Sequence, residues 1–208
     1  MRRLALLVLV LFVCAPLCAQ SLWEQLVIGN RHFQGDSITF GDLKKRRKEL
    51  DPHQHPEITV LACSDSRVPP ELLFHQTLGR LFVVRAAGNV ADTFALASLE
   101  YAVSHGYAKL IVVLGHEECG AVKESLKLED PATPGLLALT QRIRAGLYGF
   151  PLSEEPANVR RAVVANTRAS AAYLTAQSIL IRTAVHEKKV EIIPAYYALE
   201  SGAVTKID

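Results

Sequence analysis

Ile58-Thr-Val-Leu-Ala-Cys63-Ser-Asp65-Ser-Arg67 is an unbroken apolar run that stops at a thiol, a carboxylate and a guanidinium. A short, continuous run of aliphatic and β-branched residues reads as a strand buried on both faces of a parallel sheet. The same pattern recurs outward from it, at Leu81-Phe-Val-Val-Arg85, Leu110-Ile-Val-Val-Leu-Gly115 and Val190-Glu-Ile-Ile-Pro-Ala195. Helical stretches separate these runs. Asp92 to Ser104 carries Phe94, Leu96, Ala97, Leu99 and Val103, and Ala157 to His186 is long enough to be bent or broken in two. Ser21 to Gln34 opens with Ser21 and Glu24 in capping-box spacing. Leu43 to Leu50 is a short, basic helix whose charge reads as a solvated face, partly offset by Asp42, Glu49 and Asp51. Alternation of strand and helix predicts an α/β fold. It would be a single domain with a central, mostly parallel β-sheet of four strands, flanked by helices. Tyr196 to Val204 is a candidate antiparallel edge strand, returning through Ser201-Gly202. Residues 136–147 lie between two loops rich in proline and glycine, and the pattern assigns them no place.

The N-terminus follows another logic. Met1-Arg2-Arg3 precedes the apolar run Leu4 to Val13, and small residues follow as far as Ala19. This layout predicts a secretory signal peptide over residues 1–19 and a mature domain over 20–208, periplasmic or secreted. The run is short for a membrane anchor, and no later segment is long and apolar enough to span a bilayer. The chain carries 23 Lys+Arg against 21 Asp+Glu, and two of the bases, Arg2 and Arg3, sit in the leader. A balanced mature chain has no electrostatic footprint for nucleic acid or for a membrane surface. Removal of the leader also leaves Cys63 and Cys119 as the two remaining cysteines of the four. In an oxidising compartment two cysteines can form a disulfide. The alternative is a metal that holds both as thiolates.

Two strand ends carry the chemistry. One runs into Cys63-Ser-Asp65-Ser-Arg67, the other into Gly115-His116-Glu-Glu-Cys119-Gly120. Ligands of open α/β sheets bind beyond the carboxyl ends of the strands, so Cys63, His116 and Cys119 converge if the two strands are neighbours. Two cysteines and a histidine form a zinc set that leaves a fourth position open, as catalytic sites do. His116-x-x-Cys119 lets both groups face one metal, with Gly115 and Gly120 giving the backbone room to bend. Two thiolates neutralise a divalent ion, so the metal withdraws less charge from bound water than a three-histidine site would. Asp65, gripped by Arg67, is placed to stay ionised and to orient that water. A disulfide has no use for His116 or for the Asp65–Arg67 pair, which favours the metal reading.

Cys63-x-Asp65-x-Arg67 followed by His116-x-x-Cys119 resembles the β-carbonic anhydrases. The resemblance runs through Ser64 to Pro69, Phe82 to Arg85, Gly88-Asn89, Glu100 to Val103 and Gly115-His116. It implies one Zn²⁺ per subunit on Cys63, His116 and Cys119, and hydration of carbon dioxide to bicarbonate by zinc-hydroxide attack. Asp65 and Arg67 would be the catalytic pair. Phe82, Ala87 and Tyr101 match positions that line the apolar pocket, with Ala87 smaller than the valine common there. Gly120 matches a glycine whose backbone approaches substrate. Gln54 matches a glutamine that reaches substrate across a dimer interface, so the resemblance implies a homodimer or tetramer. One subgroup, with an inhibitory bicarbonate site, has tryptophan three residues before the first cysteine. Val60 stands there in this chain, which resembles the plant-like subgroup in which the aspartate stays off the metal.

Several readings stay open on sequence alone. Hydrolysis of carbon disulfide or carbonyl sulfide on the same scaffold is one, and a non-enzymatic zinc or dithiol protein is another. His53 and His55 flank Gln54 and are candidates for passing a proton to buffer, although solvated loop histidines are the default. Glu117 and Glu118 are expected to face solvent.

Overall fold

The computed structural model describes residues 21–208. The leader expectation over 1–19 lies outside the described residues.

Five strands form one sheet in the order β2-β1-β3-β4-β5. They are β1 (Ile58–Ala62), β2 (Leu81–Arg85), β3 (Leu110–His116), β4 (Glu191–Tyr197) and β5 (Val204–Lys206). The first four pair in parallel, and β5 returns antiparallel against β4. The expected α/β sheet with an antiparallel edge is therefore borne out, but the edge strand is Val204–Lys206: Tyr196 and Tyr197, expected to begin it, instead end the parallel strand β4. The central strands explain why their sequences read as continuous apolar runs. Val60, Ala62, Val112 and Leu114 pack under the first helix, α1 (Leu22–Gln34), while Leu61, Ile111 and Val113 face the opposite layer. Side chains alternate between faces, and both faces are covered. Burying each of the larger aliphatic side chains among them contributes roughly 1.5–3 kcal/mol.

The helices stop and start where their sequences provide caps. Ser21 and Glu24 form the expected capping box of α1. The helix α2 (Leu43–Leu50) buries none of its residues, in keeping with its basic sequence. A short α3 (Pro70–Leu73) follows β1. Asp92 accepts the Ala95 N–H at 2.8 Å and opens α4 (Thr93–Ser104). Then come α5 (Gly120–Ser125) and α6 (Pro134–Arg144), which supplies the missing place for most of 136–147. The long helical stretch is indeed broken, into α7 (Pro156–Gln177) and α8 (Ile179–His186). Ser178 makes the break: it is extended (φ −109°, ψ 115°), and its hydroxyl caps Ile181 N–H and bonds Glu100 on α4. Such caps contribute about 1 kcal/mol each.

One buried amide ties the ends of the chain together. Asn30 on α1 donates to the carbonyls of Leu73 and Gly202 and accepts the Val204 N–H at 2.9 Å. Nothing in the apolar pattern of α1 marks Asn30 for this role. It is 2% exposed, and each bond offsets the cost of burying a polar group.

Candidate active site

The register of β1 against β3 builds the site. Ala62 pairs with Leu114, so Cys63 leaves the sheet beside Gly115, while β3 continues, paired with β4, as far as His116. Gly115 is required by close packing: a Cβ there would lie 2.0 Å from Thr167 Oγ1 on α7. The chain then turns through Glu118, whose φ of 56° lies in the left-handed region, and brings Cys119 back as the N-cap of α5. That backbone state costs a non-glycine residue about 1–2 kcal/mol, and the Glu118–Lys123 ion pair accompanies it. Gly120 needs no such explanation. A Cβ at 120 would meet nothing within 4 Å, so its bareness leaves open space beside Cys119 and is not forced by the fold.

The ligand atoms of Cys63, His116 and Cys119 all lie within 4.8 Å of one another. The residues are 5%, 0% and 1% exposed, and both thiols are free. His116 Nδ1 lies 2.8 Å from the Glu117 carbonyl. A carbonyl only accepts, so the proton sits on Nδ1 and the lone pair on Nε2. That Nε2 is buried without a hydrogen-bond partner. A buried acceptor aimed at two sulfurs, with nothing to satisfy it, fits a divalent metal. The Cys119 thiol, together with the backbone N–H groups of Asp65 and Gly88, pulls the Cys63 thiol down. The Cys63 sulfur in turn pushes Cys119 up, and burial adds to this. A divalent metal in that place would hold both sulfurs as thiolates.

Asp65 and Arg67 sit against this group. Arg67 donates from Nε to Oδ1 at 2.9 Å and from Nη2 to Oδ2 at 2.7 Å, and its backbone N–H also bonds Oδ1 at 2.9 Å. The pair holds the Asp65 carboxyl well below the usual carboxylate range. Oδ2 lies 3.9 Å from His116 Nε2, so the fixed charge stands at the edge of the ligand set.

Three supporting residues carry no chemistry of their own; Arg85 and Gly88 fall within stretches of the family resemblance, whereas nothing in its sequence context marks Asn166. Arg85 donates to the carbonyls of Cys63 (2.9 Å) and Asp65 (2.6 Å), which fixes the loop that holds both. Gly88, at φ 64°, donates its N–H to Cys63 Sγ at 3.2 Å. Asn166 on α7 donates to the Gly88 carbonyl at 2.8 Å. Glu117 departs from the expected solvent-facing role: it is half-buried, and its carboxylate accepts the Leu199 N–H at 2.9 Å.

The expected pocket residues divide. Ala87 begins the 3-10 turn that contains Gly88, so it stands beside the metal group. Phe82 pairs with Thr59, four residues before Cys63, or about 13 Å back along the strand. It stacks with Tyr101 at 6.1 Å between ring centres, on the layer that contains α4 and α8. Tyr101 is 46% exposed. Gln54 is exposed in the loop that leads into β1, whose first residue, Ile58, stands roughly 16 Å along the strand from Cys63. One chain therefore does not bring Gln54, Phe82 and Tyr101 to its own metal group.

The sequence profile described as carbonic anhydrase matches residues 58–204. The carbonic anhydrase of Mycolicibacterium smegmatis is 47% identical over 109 residues, covering 52% of this chain and 53% of that protein. The chain thus spans about half the length of the mycobacterial relatives it matches. The carbonic anhydrase of Synechococcus elongatus is 30% identical over 195 residues, covering 88% of this chain and 71% of its own length. The solved β-carbonic anhydrase CcaA superposes with a TM-score of 0.73 at 28% identity, covering 89% of this chain and 87% of that one. A profile match over most of the chain, and a relative aligned along most of both sequences, show that the chain belongs to the β-carbonic anhydrase family.

Proposed function

We propose that the protein is an exported, zinc-dependent carbonic anhydrase that interconverts carbon dioxide and bicarbonate. The observation that carries this reading is the buried Cys63–His116–Cys119 group with the Arg67-locked Asp65 carboxylate 3.9 Å from its histidine. Two thiolates and an imidazole with its lone pair on Nε2 would hold Zn²⁺ and leave one position open. When bound there, zinc supplies the Lewis acidity that makes water a nucleophile near neutral pH.

The chain's own residues do the rest. Asp65 accepts a hydrogen bond from the attacking water, and this aims a lone pair of the water oxygen at the substrate carbon. Arg67 occupies both carboxylate oxygens, so Asp65 is held off the metal. That arrangement, with Val60 in place of tryptophan, supports the plant-like reading and argues against inhibition at a second bicarbonate site. Carbon dioxide is apolar, and Ala87 with Phe82 and Tyr101 offers an apolar wall. The open space at Gly120 admits substrate and lets water replace bicarbonate. The released proton passes to buffer.

A homodimer completes the site. β2 is an edge strand of apolar residues, Leu81 to Val84, and edges of that kind pair with other chains unless covered. Gln54, Phe82 and Tyr101 lie far from their own Cys63, and a second copy docked along β2 would carry them to it. Export rests on the leader pattern alone.

The test is stopped-flow carbon dioxide hydration by the purified chain over residues 20–208 at mildly alkaline pH. Fast hydration that a chelator abolishes is the expected result. A zinc-loaded sample without hydration would sink the reading and turn attention to sulfur analogues of carbon dioxide.

A further inference from the structure

Glu117 stands between two of the three candidate metal ligands, and no part of the hydration chemistry above uses its side chain. Its environment is unusual for a charged residue in a turn. The backbone N–H donates to the Tyr197 carbonyl at 2.8 Å, one step beyond the last β3–β4 pair. The carboxylate accepts the Leu199 N–H at 2.9 Å, just past the end of β4. Its carbonyl receives the His116 Nδ1 proton at 2.8 Å. The residue whose carbonyl orients the histidine is thus pinned at two points, to the end of β4 and to the segment just beyond it. That segment is anchored in turn: Gly202 donates to the Ala198 carbonyl, and Asn30 holds both Gly202 and Val204.

The neighbouring acid behaves differently. Glu118 turns outward to Lys123 and makes no bond to β4 or to the segment beyond it. Two adjacent glutamates therefore have separate fates, one tied to the sheet and one at the surface. Glu117 is half-buried and also lines a cavity of about 340 Å³ with Glu118, Arg160 and Tyr196.

We propose that Glu117 is a positioning residue for His116, acting through its carboxylate's bond to Leu199 N–H. That bond fixes residue 117 against the segment just past β4, and its backbone carbonyl fixes the tautomer and the direction of the imidazole. Partners of this kind raise the affinity of a site for its metal by orienting the ligand before it binds. The proposal rests on the metal reading above and concerns a residue that the reading leaves unused. Any hydrogen-bond acceptor of the same reach serves; the charge itself is not required.

The test is competition for zinc between a chromophoric chelator and the purified chain at neutral pH, for wild type, Glu117→Ala, Glu117→Asp, Glu117→Gln and Glu118→Gln. Glu117→Ala is expected to bind zinc about 10- to 100-fold more weakly. Glu117→Asp falls short of Leu199 by one methylene and should weaken binding in the same direction. Glu117→Gln presents an amide oxygen in the same place and should recover most of the affinity, and Glu118→Gln should match wild type. With cobalt in place of zinc, the visible spectrum should shift in Glu117→Ala and return in Glu117→Gln. Wild-type affinity and spectrum in Glu117→Ala would overturn the proposal, as would a Glu117→Gln as weak as Glu117→Ala. Should Glu117→Ala fail to fold, the Asp and Gln variants decide the matter on the same terms. A wild-type chain that takes up no metal would overturn the metal reading itself, and this inference with it. Wild-type metal uptake with no effect of the variants would overturn this inference alone.

Discussion

The carboxyl ends of β1 and β3 and the outer edge of β2 make an instructive pair. At the first, the whole candidate metal group lies within one chain: three ligands within 4.8 Å, a locked carboxylate, and the Arg85 guanidinium and Gly88 N–H that hold the Cys63 loop. At the second, residues of matching type are present but disconnected from that chemistry. Phe82, Tyr101, His105 and Tyr107 form an aromatic cluster at the sheet edge, and Gln54 is exposed at the far end of β1. Phe94, at the start of α4, is 82% exposed. The contrast teaches that a metal group can be built by local strand register, whereas the apolar wall proposed for substrate would need a further surface.

The largest effect should come from breaking the first region outright. Cys63→Ser is expected to reduce bound zinc to background and hydration by well over about 100-fold, since even outer partners of a metal contribute that much. Metal analysis beside stopped-flow rates checks it, and an active, metal-free variant would break the comparison at its root. Asp65→Ala comes next. It should retain zinc and lose about 100-fold or more in rate, because the group removed handles the proton of the reacting water. Near-normal turnover would mean that the locked carboxylate has no part in the chemistry.

The second region gives a sharper test. Gln54→Ala should lower the rate about 10- to 100-fold, the range expected for a hydrogen bond to a charged group. If Gln54 serves the partner's metal group, subunits of Gln54→Ala and Cys63→Ser should complement when mixed and refolded together. Half of the dimers would be mixed, and each would hold one intact site, so about a quarter of wild-type activity should return. No recovery, with dimers shown by sedimentation, would place Gln54 outside the neighbour's site.

The smallest effect concerns pH. The folded pKa of Asp65 lies below its unfolded value of about 3.9. Its contribution to stability is therefore complete above the unfolded value and disappears as pH falls toward the folded one. The pair is partly open to solvent, with Arg67 half exposed, which limits the contribution to at most about 1 kcal/mol. Denaturant unfolding of metal-free wild type and Asp65→Asn should differ by that much near neutrality and converge in acid. The same direction of shift keeps Asp65 ionised throughout the neutral range, so a rise of hydration with pH should not be its titration.

Much of the fold was legible because β1, β3 and β4 are covered on both faces, and a strand of that kind leaves a continuous apolar run in the sequence. Chemistry at strand ends was legible for a related reason: Cys63, Asp65 and Arg67 interrupt such a run abruptly. α6 was not legible, since its opening Thr133-Pro134-Gly135 looks like a loop, and a proline in the first helical turn is also where helices begin. Glu117 looked solvent-facing because a glutamate in a short turn usually is, and its partner, Leu199, lies 82 residues away.

By itself the sequence determined the class of fold, the three candidate ligands and the carboxylate–guanidinium pair, because these depend on residue type and local spacing. Only the tertiary structure decided that β1 and β3 are neighbours in the register that brings Cys63 to His116. It alone decided that Arg85, Gly88 and Asn166 hold the sulfur loop, and that Gln54 and Phe82 lie beyond reach of their own site. These are relations between distant segments, set by strand order and packing across the sheet, and no local pattern of residues encodes a distance between them.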